Sequence, residues 1–169
     1  MVKREMIVDV AALDLTTVVA DIEAIRQFNP QRFEMEQLTA IVYEDVDKLI
    51  CVGYKDVTDR EFWIRGHMPD APLMPGVIIC EAAAQIAGFF TMKHNLLGNA
   101  NVIGLGGLTN VRFRDPVRIG DRLVLAVRAI KMRRGVMVHC EFQGFVEGRM
   151  VVEGEIKGMD LPPEVLQAG

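Results

Sequence analysis

Residues 66–85 bring together the side-chain types that acid–base chemistry needs. His67 stands in a proline-rich loop, and Glu81 is the one acidic residue in the apolar run that starts at Gly76. An ionised carboxylate on a buried helix is costly in free energy unless it is paired or protonated. We therefore predict that His67 acts as a base toward a carbon next to a carbonyl group, and that Glu81 acts as a general acid.

Two further features of the segment fit this chemistry. Pro75 and Gly76 open the predicted helix, where unpaired N–H groups and the helix dipole favour a developing negative charge. An ester or thioester carbonyl can approach a glycine closely, and one such donor is worth about 10²–10³ in rate. Gln85 lies four residues after Glu81 on the same helix face and can orient its carboxyl group. Each signal alone also has a structural explanation: a turn into a helix, a solvent-facing glutamate, or an exposed histidine.

Other chemistry-bearing residues do not form a recognisable site. No Asp, Glu or Cys lies at metal-ligand spacing from His67, so no metal is expected. Residues 104–107 are rich in glycine but do not complete a dinucleotide-binding motif, so we interpret them as a bend and expect no cofactor. His94 and His139 are interpreted as structural. Three cysteines without CxxC spacing are predicted to be buried free thiols in a reducing compartment. They are Cys51, Cys80 and Cys140.

Composition and charge restrict the class of protein. The chain has 169 residues, of which 50% are hydrophobic and 25% charged, which predicts one globular domain over residues 1–169. The net charge of −4 argues against general nucleic-acid binding. The apolar stretch 77–92 contains Glu81 and Gln85 and is shorter than the ~20 residues that span a bilayer. We expect a core helix, no membrane span and, because no signal-peptide core is seen, a cytoplasmic location.

Positive charge is concentrated in one part of the chain. Residues 112–134 include eight basic and two acidic residues, a net charge of +6 that leaves −10 for the remainder. Such a stretch indicates a local anionic partner, or alternatively a set of solvated residues on the outer faces of strands.

The elements that must position the segment follow from hydrophobic periodicity and turn residues. A helix is predicted over residues 13–27 with Asp14 as its N-cap, and a long apolar helix from 76 to about 97 with Gly98 as its stop. A glycine-containing turn separates each neighbouring pair of the last three strands. The predicted strands are 40–46, 48–57, 61–65, a second set that begins at 111–113, then 123–132, 136–146 and 150–157. Residues 158–169 are predicted to be a loose tail beyond a core of about 13–157.

These elements favour one architecture. A helix that is apolar nearly all round needs cover on every side. A curved antiparallel sheet wrapped around one long apolar central helix, an α+β fold, meets that need. A second copy of the chain would cover the helix and the strand edges further, so we expect a dimer.

The central segment resembles the motif of the bacterial 3-hydroxyacyl-[acyl-carrier-protein] dehydratases of the FabZ type, which have a hot-dog fold. The family pattern is roughly Gly-His-Phe-Pro-x-x-Pro-x-Met-Pro-Gly-Val, followed by Glu-Ala-x-Ala-Gln. Its His and Glu are fourteen positions apart, as are His67 and Glu81. A second match covers residues 111–117 and 120–123, and the whole resemblance spans roughly residues 18–157.

The resemblance implies a homodimer, often a trimer of dimers, with each active site between two subunits. His67 would come from one subunit and Glu81 from the other, with Gly76 donating its N–H to the thioester carbonyl. Met68 and Pro75 would line the substrate tunnel, and Gln85 would support Glu81. The substrate would be a 3-hydroxyacyl thioester on acyl carrier protein, an acidic partner, and no cofactor is implied. The docking residues for that partner would be Arg112, Arg114, Arg118 and Arg122.

The chain departs from the family pattern at two places. Met68 stands where the family has Phe, which bears on the shape of the acyl tunnel. Gln31, Phe33 and Glu34 replace the His, Tyr and second Pro of the family's Pro-His-Arg-Tyr-Pro motif, and residues 37–40 are also altered. Two alternatives to a dehydratase therefore remain: a hot-dog acyl thioesterase with Glu81 as base or nucleophile, and a non-catalytic acyl-carrier or lipid-binding paralogue. The family's isomerising relatives carry Asp instead of Glu, which argues against isomerase activity.

Overall fold

A six-stranded antiparallel sheet and one long helix form the framework of the chain, as seen in a computed structural model that describes residues 5–166. The strands are β1 (Ala40–Asp45), β2 (Ile50–Asp56), β3 (Val102–Phe113), β4 (Arg122–Arg133), β5 (Met137–Val146) and β6 (Arg149–Leu161). The helices are α1 (Ile22–Arg26), α2 (Gly76–Lys93) and α3 (Pro163–Leu166). The sheet order is β1-β2-β4-β5-β6-β3, so β1 and β3 are its edges.

Helix α2 is the centre of the main core. Its buried side chains include Ile79, Ala83, Ile86 and Phe89, and the helix packs against β2 to β6. By length and composition alone α2 could cross a membrane, yet 56% of it is buried inside the protein. Burial by the surrounding sheet explains its apolar character. The predicted α+β architecture, an antiparallel sheet wrapped around one long apolar helix, is confirmed.

The N-terminal segment covers the other face of the sheet. Ile7 is buried in a second apolar cluster with Val52 and Tyr54 of β2. Gln143 on β5 holds the segment with two hydrogen bonds: its Oε1 accepts from the Ile7 N–H at 2.9 Å, and its Nε2 donates to the Glu5 carbonyl at 3.0 Å. The core therefore starts before the predicted residue 13.

The helix predicted over residues 13–27 forms only at its C-terminal end, as α1. Helix α1 is much shorter, and its N-cap is Asp21. Asp14 instead accepts hydrogen bonds from the N–H and hydroxyl of Thr16 and from the hydroxyl of Thr17, and these bonds lower its pKa to about 2. The four residues from Thr16 onward are β-branched, and such side chains lose rotamer freedom in a helix. Local side-chain bonds and stiff side chains thus keep this stretch non-helical.

The strand predicted over residues 61–65 is also wrong, since this segment forms consecutive turns. The Glu61 carboxylate accepts hydrogen bonds from the N–H and hydroxyl of Thr58, at 3.1 and 3.3 Å, which start the first turn. The last turn closes on the Trp63 carbonyl, which accepts from the His67 N–H at 2.8 Å. His67 is therefore positioned by consecutive turns and not by a strand.

Strand β3 begins nine residues before the predicted position 111. The glycines interpreted as a bend lie inside it, beside a shift of register with β6. A Cβ at Gly104 would lie 2.6 Å from the Leu161 side chain, and one at Gly106 would lie 2.5 Å from Met159. The glycines thus make room for β6 side chains.

The loose tail predicted from residue 158 is wrong for the part that the structure describes. Strand β6 continues to Leu161, which pairs with Val102, and α3 follows it. Residues 167–169 lie outside the described range.

The glycine-containing turns between β4, β5 and β6 are confirmed. Gly135 and Gly148 occupy positive φ angles of 67° and 75°, where a side chain would be strained. Helix α2 ends at Lys93, earlier than the predicted 97, and Gly98 lies beyond that end with φ of 79°.

Candidate active site

The His67 ring is fixed by its own loop. Its Nδ1 lies 2.9 Å from the Leu73 carbonyl oxygen, and the Leu73 N–H donates back to the His67 carbonyl at 3.0 Å. A carbonyl oxygen can only accept, so Nδ1 carries the proton and the neutral ring keeps its lone pair on Nε2. Nε2 is therefore the basic atom that this loop presents. The His67–Met68 peptide bond of the same loop is cis.

Gly76 is the first residue of α2 and contacts an aromatic ring. A Cβ at this position would lie 2.6 Å from Cζ of Phe113, so only glycine fits beside that ring as it stands. Among residues 5–166 nothing accepts a hydrogen bond from the Gly76 N–H, as expected for the first turn of a helix. Gly76, Phe113 and His67 line one cleft of about 500 Å³. The helix start thus presents an N–H donor near the imidazole.

Glu81 lies one turn into α2 and is half-buried. Its Oε1 accepts hydrogen bonds from Gln85 Nε2 at 2.8 Å and from Gln31 Nε2 at 3.3 Å. The hydrogen bond predicted from the four-residue spacing to Gln85 is therefore present. Within the described range, Oε2 of Glu81 receives no hydrogen bond. The carboxyl group is anchored through one oxygen, which leaves the other for proton transfer.

Gln85 is itself locked in place. It is 3% exposed. Its Oε1 accepts from the Gln37 N–H at 2.9 Å, and its Nε2 donates to the Met35 carbonyl at 2.6 Å as well as to Glu81. Asn29 Nδ2 donates to the Gln85 backbone carbonyl at 2.9 Å. These bonds tie the segment after α1 to the helix that carries Glu81.

His67 and Glu81 line different clefts of the chain. The Glu81 cleft has a volume of about 240 Å³ and lies between α2, the segment after α1 and the start of β3. Its lining includes the polar residues Arg26, Arg32 and Asn101 and the apolar residues Met92 and Ile103. The catalytic pair predicted from the fourteen-residue spacing is thus divided between two clefts.

Gln31 is the residue that the sequence did not identify as part of the site. The one sequence feature that marks Gln31 is that it stands where the family motif has histidine. Its bond to Glu81 joins residues 50 positions apart, and no local spacing rule predicts such a contact.

Some of the other predicted site residues line the His67 cleft, and others do not. Pro75 lines the His67 cleft, whereas Met68 is 52% exposed. Arg114 also lines the His67 cleft but forms an ion pair with Glu153.

The Arg122 side chain is bound by two residues of the neighbouring strand β2. It donates to both carboxylate oxygens of Asp56 at 2.6 and 2.8 Å and stacks 4.0 Å from the Tyr54 ring centroid. Its charge is therefore partly neutralised within the chain. Arg112 and Arg118 are not in the ion pairs described within residues 5–166.

The cysteines are buried free thiols, as predicted. Burial raises the pKa of Cys80 to about 11 and that of Cys140 to about 12. The thiolate, which is the nucleophilic form, is thus disfavoured at both positions. Among residues 5–166 there is no group of three or more His, Cys, Asp or Glu side chains that could hold a metal ion.

Comparisons with known proteins fit this geometry. A family model described as a FabA-like domain matches residues 29–155. The chain is 38% identical over 140 residues to the 3-hydroxyacyl-[acyl-carrier-protein] dehydratase FabZ of Brucella ovis, covering 83% of this chain and 88% of that protein. It is 35% identical over 142 residues to the FabZ of Campylobacter lari, covering 82% and 96%.

Among solved structures, the dehydratase heterocomplex ApeI:P from Xenorhabdus doucetiae matches with a TM-score of 0.67 at 16% identity, covering 85% of this chain and 95% of that one. This likeness concerns the fold and confirms the hot-dog prediction. The chain therefore belongs to the FabA-like family, among its 3-hydroxyacyl-[acyl-carrier-protein] dehydratases of the FabZ type.

Proposed function

We propose that this chain converts a (3R)-3-hydroxyacyl thioester on acyl carrier protein into the trans-2-enoyl thioester and water, a step of fatty acid biosynthesis. The observation that carries this proposal is the fixed tautomer of His67. Its Nδ1 donates to the Leu73 carbonyl oxygen, so Nε2 keeps the lone pair. A fixed neutral imidazole is suited to removing a proton next to a thioester carbonyl. The curated relatives named above are dehydratases of this kind.

The mechanism assigns one role to each group. His67 Nε2 takes the C2 proton, and the negative charge that develops on the thioester oxygen is stabilised by the Gly76 N–H. The C2 electrons form the C2–C3 double bond while the C3–O bond breaks. Glu81 gives its proton to the departing hydroxyl, which leaves as water. Charge and atoms balance without a cofactor, and the proton on His67 must return to Glu81 or exchange with solvent before the next turnover.

A homodimer would complete the site. Residues 1–169 would form one hot-dog domain per subunit, with His67 of one subunit facing Glu81 of the other. Two observations support this: the pair lines separate clefts, and the edge strand β3 exposes the apolar residues Leu105, Leu108 and Phe113. An exposed apolar edge strand is suited to pairing with another chain. A trimer of such dimers is a further part of this proposal.

The carrier protein would approach from the side of the His67 cleft. Arg114 lines that cleft, and Arg112 and Arg118 lie close to it in the chain. Arg114 and Arg122 contribute less to this docking surface than Arg112 and Arg118, because Glu153 and Asp56 pair with them. An acidic carrier protein would be steered toward these residues. A cytoplasmic location fits the three free thiols.

The decisive experiment is hydration of a short trans-2-enoyl thioester by the purified protein, followed as loss of enoyl absorbance. We expect activity in the wild type and its loss in His67→Ala. Glu81→Gln should lower the rate by about 10²–10⁴, the usual contribution of a general acid. Full activity of Glu81→Gln would contradict the acid role.

The same assay separates the two alternatives. Release of free thiol from an acyl thioester without enoyl turnover would indicate a thioesterase. Binding of acyl carrier protein with neither reaction would indicate a non-catalytic paralogue.

A further inference from the structure

The two amides that bind Glu81 differ in their freedom to turn. Gln85 Oε1 accepts from the Gln37 N–H, and its Nε2 donates to the Met35 carbonyl. Turning this amide over would set an oxygen against a carbonyl and an NH₂ group against an N–H. Gln85 can therefore only donate to Glu81.

Gln31 is not held in this way. Its Nε2 donates to Glu81 at 3.3 Å, while its Oε1 is buried and accepts no hydrogen bond from residues 5–166. A buried carbonyl oxygen without a partner is unfavourable and calls for an explanation. Turning the Gln31 amide over would sacrifice no bond at Oε1 and would bring that oxygen to the Glu81 carboxyl.

The proposed reaction requires both protonation states of Glu81 in each turnover. An ionised carboxylate only accepts hydrogen bonds, whereas a protonated carboxyl group also donates one. Gln31 can serve both states, because its NH₂ group can donate to the carboxylate and its oxygen can accept from the acid. Since Gln85 is fixed as a donor, Gln31 is the partner that can adapt.

We propose that Gln31 is a positioning residue whose amide reorients with the protonation of Glu81 and keeps the carboxyl group aligned in both states. This inference rests on the proposed function, since it assumes that Glu81 transfers a proton. It assigns a catalytic consequence to a position where the chain departs from the family's histidine.

The charged groups around Gln31 are engaged elsewhere. Arg26 pairs with Glu23 and Glu36. Arg32 donates to backbone carbonyl oxygens, including that of Gln31. The part of β3 that lines the cleft carries no charged side chain. Neither arginine donates to Glu81, which leaves the two glutamines as its hydrogen-bonding partners within the described range.

The test compares three variants by kcat and KM for enoyl hydration across pH. Gln31→Leu removes both the donor and the acceptor, and we expect kcat to fall about tenfold, the effect of losing one hydrogen bond to a charged group, with KM within about twofold of wild type. Gln31→His keeps a donor and an acceptor while the ring is neutral. It should restore most of kcat at pH 8 and lose it below about pH 6.5, because an imidazolium can only donate. Asn99→Leu removes an exposed side-chain amide that lines neither cleft; it is the matched control and should leave kcat unchanged.

The outcomes separate this inference from the proposed function. An inactive wild type, or a fully active Glu81→Gln variant, would overturn both. A Glu81-dependent wild type with an unchanged Gln31→Leu would overturn the role of Gln31 alone. A loss in Gln31→Leu that Gln31→His does not relieve at any pH, with unchanged thermal melting of both variants, would also contradict reorientation, since a purely spatial role predicts no rescue by a donor–acceptor ring.

Discussion

Gly76 meets two requirements that no other residue type satisfies together. It opens α2, where its N–H has no acceptor among residues 5–166, and it lies against the Phe113 ring. A side chain here would displace the ring, and it would also occupy the path by which, in the proposed mechanism, the thioester carbonyl oxygen reaches the N–H. The first effect concerns packing, whereas the second concerns catalysis, and the two can be separated by mutation.

We expect Gly76→Ala to lower kcat/KM for enoyl hydration by about 10²–10³, the value of one donor to a developing oxyanion. The double variant Gly76→Ala/Phe113→Leu relieves the clash with the ring but keeps the methyl group in the carbonyl's path, so its activity should stay low. Steady-state kinetics of both variants, together with their melting temperatures, make the measurement. Recovery of activity in the double variant would show that Gly76 serves packing only.

Site residues could be predicted from sequence where their contacts are local. Gln85 was identified because it lies one helical turn from Glu81. Gln31 was not, because its contact depends on how the segment after α1 folds back onto α2. The division of His67 and Glu81 between two clefts is likewise set by tertiary structure, which no spacing along the chain reveals.

The turn segment that delivers His67 begins at a buried ion pair. Lys55 Nζ lies 3.1 Å from Glu61 Oε2, and both side chains are less than a tenth exposed. Glu61 also accepts the two Thr58 hydrogen bonds that start the turns leading to Trp63 and His67. The ion pair thus links the end of β2 to the position of the imidazole.

Removing one partner of this pair should be strongly destabilising. Glu61→Gln leaves the Lys55 ammonium buried without an opposite charge, and we expect the free energy of unfolding to fall by about 3–5 kcal/mol. Denaturant unfolding gives the value. The double variant Lys55→Met/Glu61→Gln should recover most of the stability, because it removes the unpaired buried ammonium and keeps a side-chain oxygen for the Thr58 hydrogen bonds. Lys48→Met replaces an exposed lysine that pairs with Asp45; it is the control and should change little. A Glu61→Gln variant as stable as this control would contradict the argument.

At the scale of elements, the sequence predicts the helices and turns that follow from hydrophobic periodicity and turn glycines. It does not predict elements whose bounds depend on side-chain hydrogen bonds or on packing against a neighbouring strand. The buried helix and the β4–β5–β6 turns were predicted correctly from apolar runs and turn glycines. The N-terminal helix begins at Ile22, later than predicted, because Asp14 bonds to Thr16 and Thr17 instead of capping a helix. The first half of β3 was missed because Gly104 and Gly106 disrupt the strand pattern, although they fit against β6.

At the scale of the whole molecule, the basic stretch is less free than its sequence indicates. Arg114, Arg122 and Arg128 pair with Glu153, Asp56 and Glu141, all of which come from other strands. Sheet pairing thus offsets part of the +6 charge. What the molecule leaves uncovered instead is the β3 edge, with Leu105, Leu108 and Phe113 exposed. In the proposed homodimer, an assembly through this edge would also decide which subunit supplies His67 and which supplies Glu81 to each site.

Mixed assemblies test that division directly. In a homodimer whose sites each take His67 from one subunit and Glu81 from the other, a heterodimer of His67→Ala and Glu81→Gln subunits has one site with both native residues and one with neither. Random association makes half of the dimers mixed, so we expect about one quarter of the wild-type activity from two nearly inactive parents.

The measurement uses two differently tagged variants that are co-expressed, isolated by sequential affinity steps and assayed for enoyl hydration. The purified heterodimer should reach about half of the wild-type rate, because one of its two sites is intact. A control pairing of His67→Ala with a differently tagged His67→Ala should stay inactive. If the heterodimer forms but is no more active than its parents, His67 and Glu81 act within one subunit. A movement inside the chain would then have to bring their two clefts together.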